Sequence, residues 1–287
     1  MLCRVNCEFV SFSNIDQFSS TAVEKYEEAI QESQRTGGNI KALLLCHPHN
    51  PLGRCYTQEA LIQYMQLCDK YKIHLLMDEI YALSVFDTPD PNATKFKSIS
   101  TFDTDLYIDP DYLHLLYGMS KDNAAGGMRL GCLYTRNADL RKALGTISMF
   151  HWSGNITERL AIAMLEDEKW MDDFLMLSCA KLAKRNSMVK EMLDDEGIEY
   201  YPGANAGFFL WLDLRSFLLE PRYAEDDHWD SEAALTKRLF EHKVYITNGK
   251  ALNAEEPGWY RLIFSQDEKV LQEGFRRQGP YMIPRRR

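Results

Sequence analysis

The sequence predicts an α/β protein in which a mostly parallel sheet is followed by a smaller C-terminal α/β domain. Apolar runs of strand length alternate with helical patterns through the first half of the chain, which is typical of βα units. The length of 287 residues exceeds that of one average domain. A long helical stretch then precedes a second βαβα pattern. We therefore predict one domain over residues 1–170 and another over residues 171–287.

The first domain is predicted from apolar runs that have the length of buried strands. The run KALLLCH is the clearest of them, and a helix with apolar residues at spacings of three and four follows from Thr57 to Lys72. The glycine-rich stretch 124–127 indicates a turn. The predicted strands cover 41–47, 73–81, 112–120 and 129–136, and Asn137 is expected to cap the next helix.

The second half begins with a pattern that is helical almost throughout. Asn155, three residues before Glu158, is expected to cap this helix at its start, and Gly197 to end it. Strands are predicted at 208–214 and 259–265, with a helix over 231–242 between them. A last helix is expected to open at Ser265 to Glu268 with a capping box, in which the serine bonds to the helix start.

Composition and charge narrow the class of partner. Hydrophobic residues make up 45% and charged residues 26%, the balance of an ordinary globular protein. The formal net charge of −9 argues against nucleic acid or an anionic lipid surface as a partner, so a small molecule is expected. No apolar run approaches the length needed to span a membrane.

The cysteines indicate a reducing environment. There are seven, without paired spacing, which suits free thiols and a cytoplasmic location. Cys46, His47, His49 and Cys55 are metal-ligand types, but no CxxC pair or second cluster accompanies them, so no metal site is predicted.

Polar side chains close each predicted strand of the first domain. Asn50 follows the first strand, Asp78 and Tyr81 end the second, and Ser120 and Lys121 end the third. In an open parallel sheet, ligands bind at the carboxyl edge of the strands, where these side chains are expected to meet.

Lys121 has two interpretations on its position alone. A lysine directly after a buried strand is costly to desolvate, which makes it a candidate amine nucleophile that forms a Schiff base with an aldehyde. Alternatively, the strand ends at the surface and Lys121 is solvated, while Asp78 only caps the segment after its strand.

Five segments, in order along nearly the whole chain, resemble the signatures of class I/II aminotransferases of fold type I. Within that family the sequence of these segments is most similar to the 1-aminocyclopropane-1-carboxylate (ACC) synthase-like branch. The segments are HNPLGRCY (49–56), MDEIYALSVF (77–86), GMSKDNAAGGMRLG (118–131), NAGFFLWLDL (205–214) and PGWYRLIFS (257–265).

The resemblance implies pyridoxal 5′-phosphate (PLP) as cofactor. Lys121 would hold it as a Schiff base and later move the substrate proton. Asp78 would pair with the ring nitrogen, and Asn50 and Tyr81 would hydrogen-bond the ring oxygen O3′.

The resemblance also assigns the two anion-binding positions. Arg129, together with Ser120, would hold the cofactor phosphate, and Arg261 would bind the substrate α-carboxylate. Gly118 stands where relatives usually carry a phosphate-binding serine, so one donor is expected to be absent.

Met1 aligns well inside the family's large domain, so the resemblance makes residues 1–170 a PLP-binding large domain that is incomplete at its N-terminus. The function implied is a PLP-dependent enzyme acting on an amino acid, either an aminotransferase or an ACC synthase-like lyase, as a homodimer. Transamination, ACC formation and carbon–sulfur cleavage all stay open. The alternative is a non-catalytic shortened paralogue that associates with a full-length homologue.

Overall fold

The structure, a computed structural model, describes residues 5–13, 15–218 and 228–282. Its first sheet contains β1 (Ala42–Cys46), β2 (His74–Asp78), β3 (Leu113–Gly118) and β4 (Gly131–Thr135), in that spatial order. The first three strands are parallel and β4 is antiparallel to β3. The prediction of a mostly parallel sheet is therefore confirmed. Parallel pairing brings the carboxyl ends of β1, β2 and β3 to one edge.

Two helices share a hydrophobic core with this sheet. They are α1 (Val23–Arg35) and α2 (Gln58–Tyr71), and the Oγ1 of Thr57 caps α2 by accepting a bond from the Ala60 amide at 3.1 Å. The apolar side of α2 is wholly buried at Tyr64 and Met65. These side chains join Leu75 and Met77 of β2 in one core, which fixes the edge of the sheet where the polar residues lie.

The second sheet is antiparallel throughout. It contains β5 (Glu199–Tyr200), β6 (Phe209–Asp213), β8 (Trp259–Ile263) and β7 (Thr247–Asn248), in that order. The longer strands β6 and β8 lie where the sequence predicts strands. The sequence did not predict β5 and β7, because a strand of two residues has too little apolar pattern to stand out.

Five further helices complete the described fold: α3 (Ala138–Ser148), α4 (Asn155–Glu166), α5 (Glu168–Asp195), α6 (His228–Glu241) and α7 (Glu268–Met282). Buried residues of α5, α6 and α7 form a second core with β6 and β8. The predicted boundary between residues 170 and 171 falls inside α5 and stays a prediction.

Helix ends differ from the predictions at several places, including the start of α6 at His228 instead of residue 231. The helix expected over 155–196 is interrupted at Asp167, whose Oδ1 caps α5 by accepting a bond from the Trp170 amide at 2.9 Å. Asn155 is the first residue of α4 and Gly154 is its cap. The α7 start is capped by Asp267, not by Ser265, because the Asp267 Oδ1 accepts the Lys269 amide at 2.9 Å. Asp167 and Asp267 supply the cap by a side-chain bond, whereas Gly154 supplies none.

Two expected helix ends are confirmed. The Asn137 Oδ1 accepts a bond from the Leu140 amide at 2.8 Å, so Asn137 caps α3. Gly197 follows the end of α5 with φ +66°, a left-handed conformation that favours glycine.

The segment from α3 to α5, including the link between α3 and α4, carries many exposed apolar side chains, which we call the α3–α5 apolar surface. Phe150, Trp152 and Ile156 are 78%, 82% and 79% exposed. No residue of α3 and only Ala161 of α4 is buried. The other members are Ile147, Met149, Leu160, Ile162, Leu165, Met176 and Leu177.

Two kinds of feature are not found within the described residues. None of the helices there combines the length and apolar character needed to cross a bilayer. No three His, Cys, Asp or Glu side chains in the same ranges lie together as a metal site would require.

Candidate active site

The polar residues predicted to meet at the carboxyl edge of the first sheet do lie there. Asp78 is the last residue of β2, and Cys46, the last of β1, is its partner in the strand register. Asn50 lies in the turn after β1, and Tyr81 in the turn after β2. Lys121 follows β3 by three residues.

Arg261 of the second sheet reaches this edge and touches Asn50. Its Nη1 donates to the Asn50 Oδ1 at 2.7 Å, across 211 positions of the chain. The guanidinium carbon lies 5.6 Å from the ring centroid of Phe209. The Arg261 Nε is buried and has no hydrogen-bond partner within the described residues. An unpaired buried donor on a guanidinium suits an anionic ligand.

Tyr81 is packed between the two sheets. Its ring meets those of Phe208 and Phe209 edge to face, with centroids 5.6 and 5.3 Å apart. Burial raises the pKa of Tyr81 to about 12, so its hydroxyl stays protonated at neutral pH. The Lys121 Nζ lies 5.9 Å from the centroid of the same ring. Tyr81 is therefore a fixed hydrogen-bond donor beside an amine.

Asp78 is half-buried next to this amine. Its Oδ1 accepts a bond from the Ile80 amide at 3.2 Å. Burial raises the pKa of Asp78, while that hydrogen bond and the positive charge of Lys121 oppose the rise. The carboxylate and the ammonium group are thus close enough to interact.

Cys46 also belongs to this site, although its sequence position suggested only a metal-ligand type. Its Sγ donates to the Pro48 carbonyl at 3.2 Å. Burial raises the pKa of Cys46 to about 12, and the charge of Asp78 adds to the rise. The group is a protonated thiol at neutral pH. Its position at the end of β1, opposite Asp78, is the signal that could have found it.

Lys121 is exposed, which agrees with the interpretation that its strand ends at the surface and the side chain is solvated. The chain leaves β3 at Gly118 and reverses in a turn, in which the Ala125 amide donates to the Met119 carbonyl at 3.1 Å. Lys121 lies on the outer side of this turn. Its amine is consequently accessible from solvent.

The structure does not bring Arg129 into the same group of contacts. Arg129 is exposed, has φ +54°, and donates from Nη1 to the Gly126 carbonyl of its own turn at 2.9 Å. Ser120 is half-buried in the turn that carries Lys121. The residues predicted for the phosphate are therefore less tightly held than those around Arg261.

Gly118 is enclosed by backbone. A Cβ at this position would lie 3.0 Å from the Leu130 carbonyl oxygen and 3.3 Å from the Ile80 Cδ1. Any side chain there, including the serine expected in relatives, requires the neighbouring Leu130 backbone to shift by a few tenths of an ångström. The local packing thus favours glycine, which has no side chain, at this position.

Two clefts lie away from this group of residues. One, of about 340 Å³, is lined by the N-terminal segment and by Trp229, Lys250 and Glu255. The other, of about 470 Å³, lies between α1 and α2 and is lined by Glu27 and Lys70 among others. Neither contains a predicted site residue.

Known proteins have a counterpart of this arrangement. It consists of a mostly parallel sheet with a lysine, an acid, an amide and a phenol at its carboxyl edge, and an arginine from a second sheet. The family model described as aminotransferase class I and II matches residues 2–277, and the chain belongs to this family. Members of the family depend on PLP.

Similar curated proteins come from animals and plants. A mouse protein named probable inactive ACC synthase-like protein 2 is 33% identical over 91% of this chain and 43% of its own length. Human ACC synthase-like protein 1 is 32% identical over 89% of this chain and 48% of its own length. Tomato (Solanum lycopersicum) ACC synthase 2 is 34% identical over 92% of this chain and 52% of its own length. The chain spans about half the length of these relatives.

Solved structures share the fold. An aspartate aminotransferase from Thermus thermophilus with maleate superposes with a TM-score of 0.71 at 21% identity, over 89% of this chain and 59% of that one. An aspartate aminotransferase from Thermotoga maritima superposes with a TM-score of 0.64 at 24% identity. The match covers 85% of this chain and 58% of that one. The confirmed fold is that of a PLP-dependent transferase.

Proposed function

We propose that this chain carries the cofactor-binding residues of a PLP-dependent enzyme that acts on an amino acid, as an aminotransferase or an ACC synthase-like lyase. The observation that supports it most is the contact between Asn50 and Arg261, at 2.7 Å, beside Asp78, Tyr81 and Lys121. This contact joins groups from both sheets at one edge. Their chemistry matches the groups that PLP and an amino acid present.

The residues fit the cofactor at its ring. PLP bound here supplies an aldehyde that condenses with amines and a ring that withdraws electrons from the substrate α-carbon. Asp78 is an acid suited to the ring nitrogen, and Asn50 and the protonated hydroxyl of Tyr81 suit the ring oxygen O3′. The accessible amine of Lys121 suits the aldehyde.

The fit to the phosphate is weaker. Ser120 and Arg129 are the residues that would hold it, and Gly118 supplies no hydroxyl. Arg129 would have to exchange its bond to the Gly126 carbonyl for one to the phosphate. An exposed ion pair of this kind contributes about 0–1 kcal/mol.

During turnover the protein groups bind, orient and move a proton. Arg261 binds the substrate α-carboxylate, for which its buried Nε is the unpaired donor. Phe209 packs beside this guanidinium and limits where the carboxylate lies. With PLP bound, the Lys121 amine would take a proton from the substrate α-carbon and return it. Asp78 would pair with the ring nitrogen.

The setting we propose is a cytoplasmic homodimer. Six described cysteines are free thiols, which suits a reducing compartment. Family membership supports the homodimer. The substrate is an α-amino acid because the proposed site pairs an aldehyde cofactor with a carboxylate-binding guanidinium.

Absorbance during PLP titration tests this function. The unaltered chain is expected to develop a visible absorption band at micromolar PLP, which Lys121→Ala abolishes. Lys169→Ala is the matched control, because Lys169 pairs with Asp173 on the exposed surface of α5. Failure of the unaltered chain to develop the band would contradict the proposal.

The α3–α5 apolar surface favours a second function, that of a non-catalytic partner of a full-length homologue. Exposed apolar surfaces of this extent are typical of interaction sites. Mixing the chain with such a homologue and measuring the mass of the complex tests it. Association that is lost in Trp152→Glu, without any PLP band, supports this function. A chain that stays unassociated at micromolar concentration excludes it.

A further inference from the structure

Asp122, the residue after Lys121, has a buried side chain, whereas that of Lys121 is exposed. Asp122 is only 3% exposed and its carboxylate is enclosed by three donors. Its Oδ2 accepts the Leu83 amide at 2.9 Å and the Tyr117 hydroxyl at 3.1 Å, and its Oδ1 accepts the Ser84 hydroxyl at 2.5 Å. The turn thus exposes its amine and buries its acid.

These bonds are what keep a buried carboxylate in place. Burial raises the pKa of Asp122, and the bonds from Ser84, Leu83 and Tyr117 oppose the rise. A buried anion that loses its donors is costly, so the arrangement resists displacement of the turn. Lys121 directly precedes Asp122 in the chain. Its backbone is therefore held in place by the bonds of Asp122, although its side chain is exposed.

The anchor extends to the second sheet. Ser84, which binds Asp122 through its hydroxyl, accepts the Gly207 amide at its carbonyl at 2.8 Å. Gly207 lies two residues before β6, in which Trp211 is paired with Arg261 of β8. A continuous path of backbone and side-chain bonds therefore runs from the Lys121 turn to the strand pair that carries Arg261.

We propose that Asp122 is a positioning residue that anchors the Lys121 turn to Leu83 and Ser84, and through Ser84 fixes the amine relative to Arg261. This inference rests on the proposed function and deepens it. Asp122 acts through Lys121 and needs no contact with cofactor or substrate. The SKD segment suggested a role only for its lysine, because the sequence does not show that the acid turns inward.

Two measurements on the whole chain test the proposal. The first is the rate at which PLP and borohydride, which fixes a lysine–aldehyde adduct, label the peptide that contains Lys121. The second is hydrogen exchange of the amides in 83–84 and 119–125 without cofactor. Asp122→Asn and Ser84→Ala are compared with Asp105→Asn, whose carboxylate pairs with Arg136 on the surface.

Asp122→Asn is expected to slow labelling of Lys121 by about tenfold or more, because a small displacement of a reacting group has a large effect on rate. Ser84→Ala, which removes one donor and keeps the acid, is expected to slow it less. Both variants should speed exchange in 83–84 and 119–125, and Asp105→Asn should change neither quantity.

The outcomes separate this inference from the proposed function. If Lys121 of the unaltered chain is not labelled, the proposed function is overturned, and the role of Asp122 with it. If Lys121 is labelled at an unchanged rate in a folded Ser84→Ala and Asp122→Asn, only the role of Asp122 is overturned. Folding of each variant is checked by its thermal unfolding transition.

Discussion

The two ends of the candidate site differ in how firmly the protein holds them. At the Arg261 end, Asn50, Tyr81 and Arg261 are held between two sheets by a hydrogen bond and by the rings of Phe208 and Phe209. At the other end, the 118–129 segment leaves Lys121 and Arg129 exposed.

The difference follows from what lies behind each end. The Arg261 end is backed by two buried cores, whereas the 118–129 segment leads into β4 and α3, which contain few buried residues. At the Arg261 end, dense packing therefore holds the side chains of the site in position. At the other end, individual hydrogen-bonded residues such as Asp122 must do so.

The largest expected effect comes from removing the ring that supports the firmly held end. Phe209→Ala leaves a cavity against Tyr81 and Arg261 and is expected to lower the free energy of unfolding by about 3–5 kcal/mol. Phe150→Ala, at a ring that is 78% exposed, should change it little. Urea denaturation measures both. Equal effects of the two substitutions would contradict the comparison.

The next effect concerns the two arginines. Arg261→Gln is expected to weaken binding of an amino acid to the PLP-loaded chain by about 1.5–3 kcal/mol, because charge-assisted hydrogen bonds to the carboxylate are lost. Arg129→Gln should weaken PLP binding by only about 0–1 kcal/mol, because Arg129 is exposed. Spectroscopic titrations give both affinities. A larger loss for Arg129→Gln would reverse the ranking of the two ends.

A smaller effect is expected for restoring the serine expected in relatives. Gly118→Ser places a Cβ 3.0 Å from the Leu130 carbonyl oxygen and is expected to destabilise the chain by about 1–3 kcal/mol. Gly127→Ser is the matched control within the same segment, because no atom lies within 4 Å of its Cβ. Thermal unfolding compares the two. A Gly118→Ser chain as stable as the control would show that the Leu130 backbone shifts without cost.

The last effect is absent at neutral pH and appears only at high pH. Because burial raises the pKa of Tyr81 to about 12, its neutral form contributes stability that is complete below the unfolded value of about 10 and is lost as pH rises from there toward 12. The phenolate absorbance lost in Tyr81→Phe should titrate near pH 12 in the folded chain and near pH 10 in urea. A folded midpoint near 10 would mean that Tyr81 is not held between the sheets.

Much of the firmly held end could be predicted from sequence. Asp78 ends, and Asn50 and Tyr81 follow, strands with clear apolar patterns, and parallel pairing of β1 and β2 brings strand ends together. The proximity of Arg261 could not come from periodicity, since it lies 211 positions from Asn50, and only the family resemblance implied it.

The less firmly held end was harder to predict because its properties are tertiary. Exposure of Lys121 depends on the reversal of the chain after β3, and burial of Asp122 depends on Leu83, Ser84 and Tyr117. The break at Asp167 between α4 and α5 was missed because a single capping aspartate within a helical pattern interrupts no apolar period.

The most direct test of the central claim is a peptide map of the chain after treatment with PLP and borohydride. Because Lys121 alone among the described lysines lies over the Tyr81 ring and beside Asp78, we expect one cofactor per chain, on the peptide that contains Lys121. Label spread over surface lysines in proportion to their exposure, with none enriched at Lys121, would contradict the account.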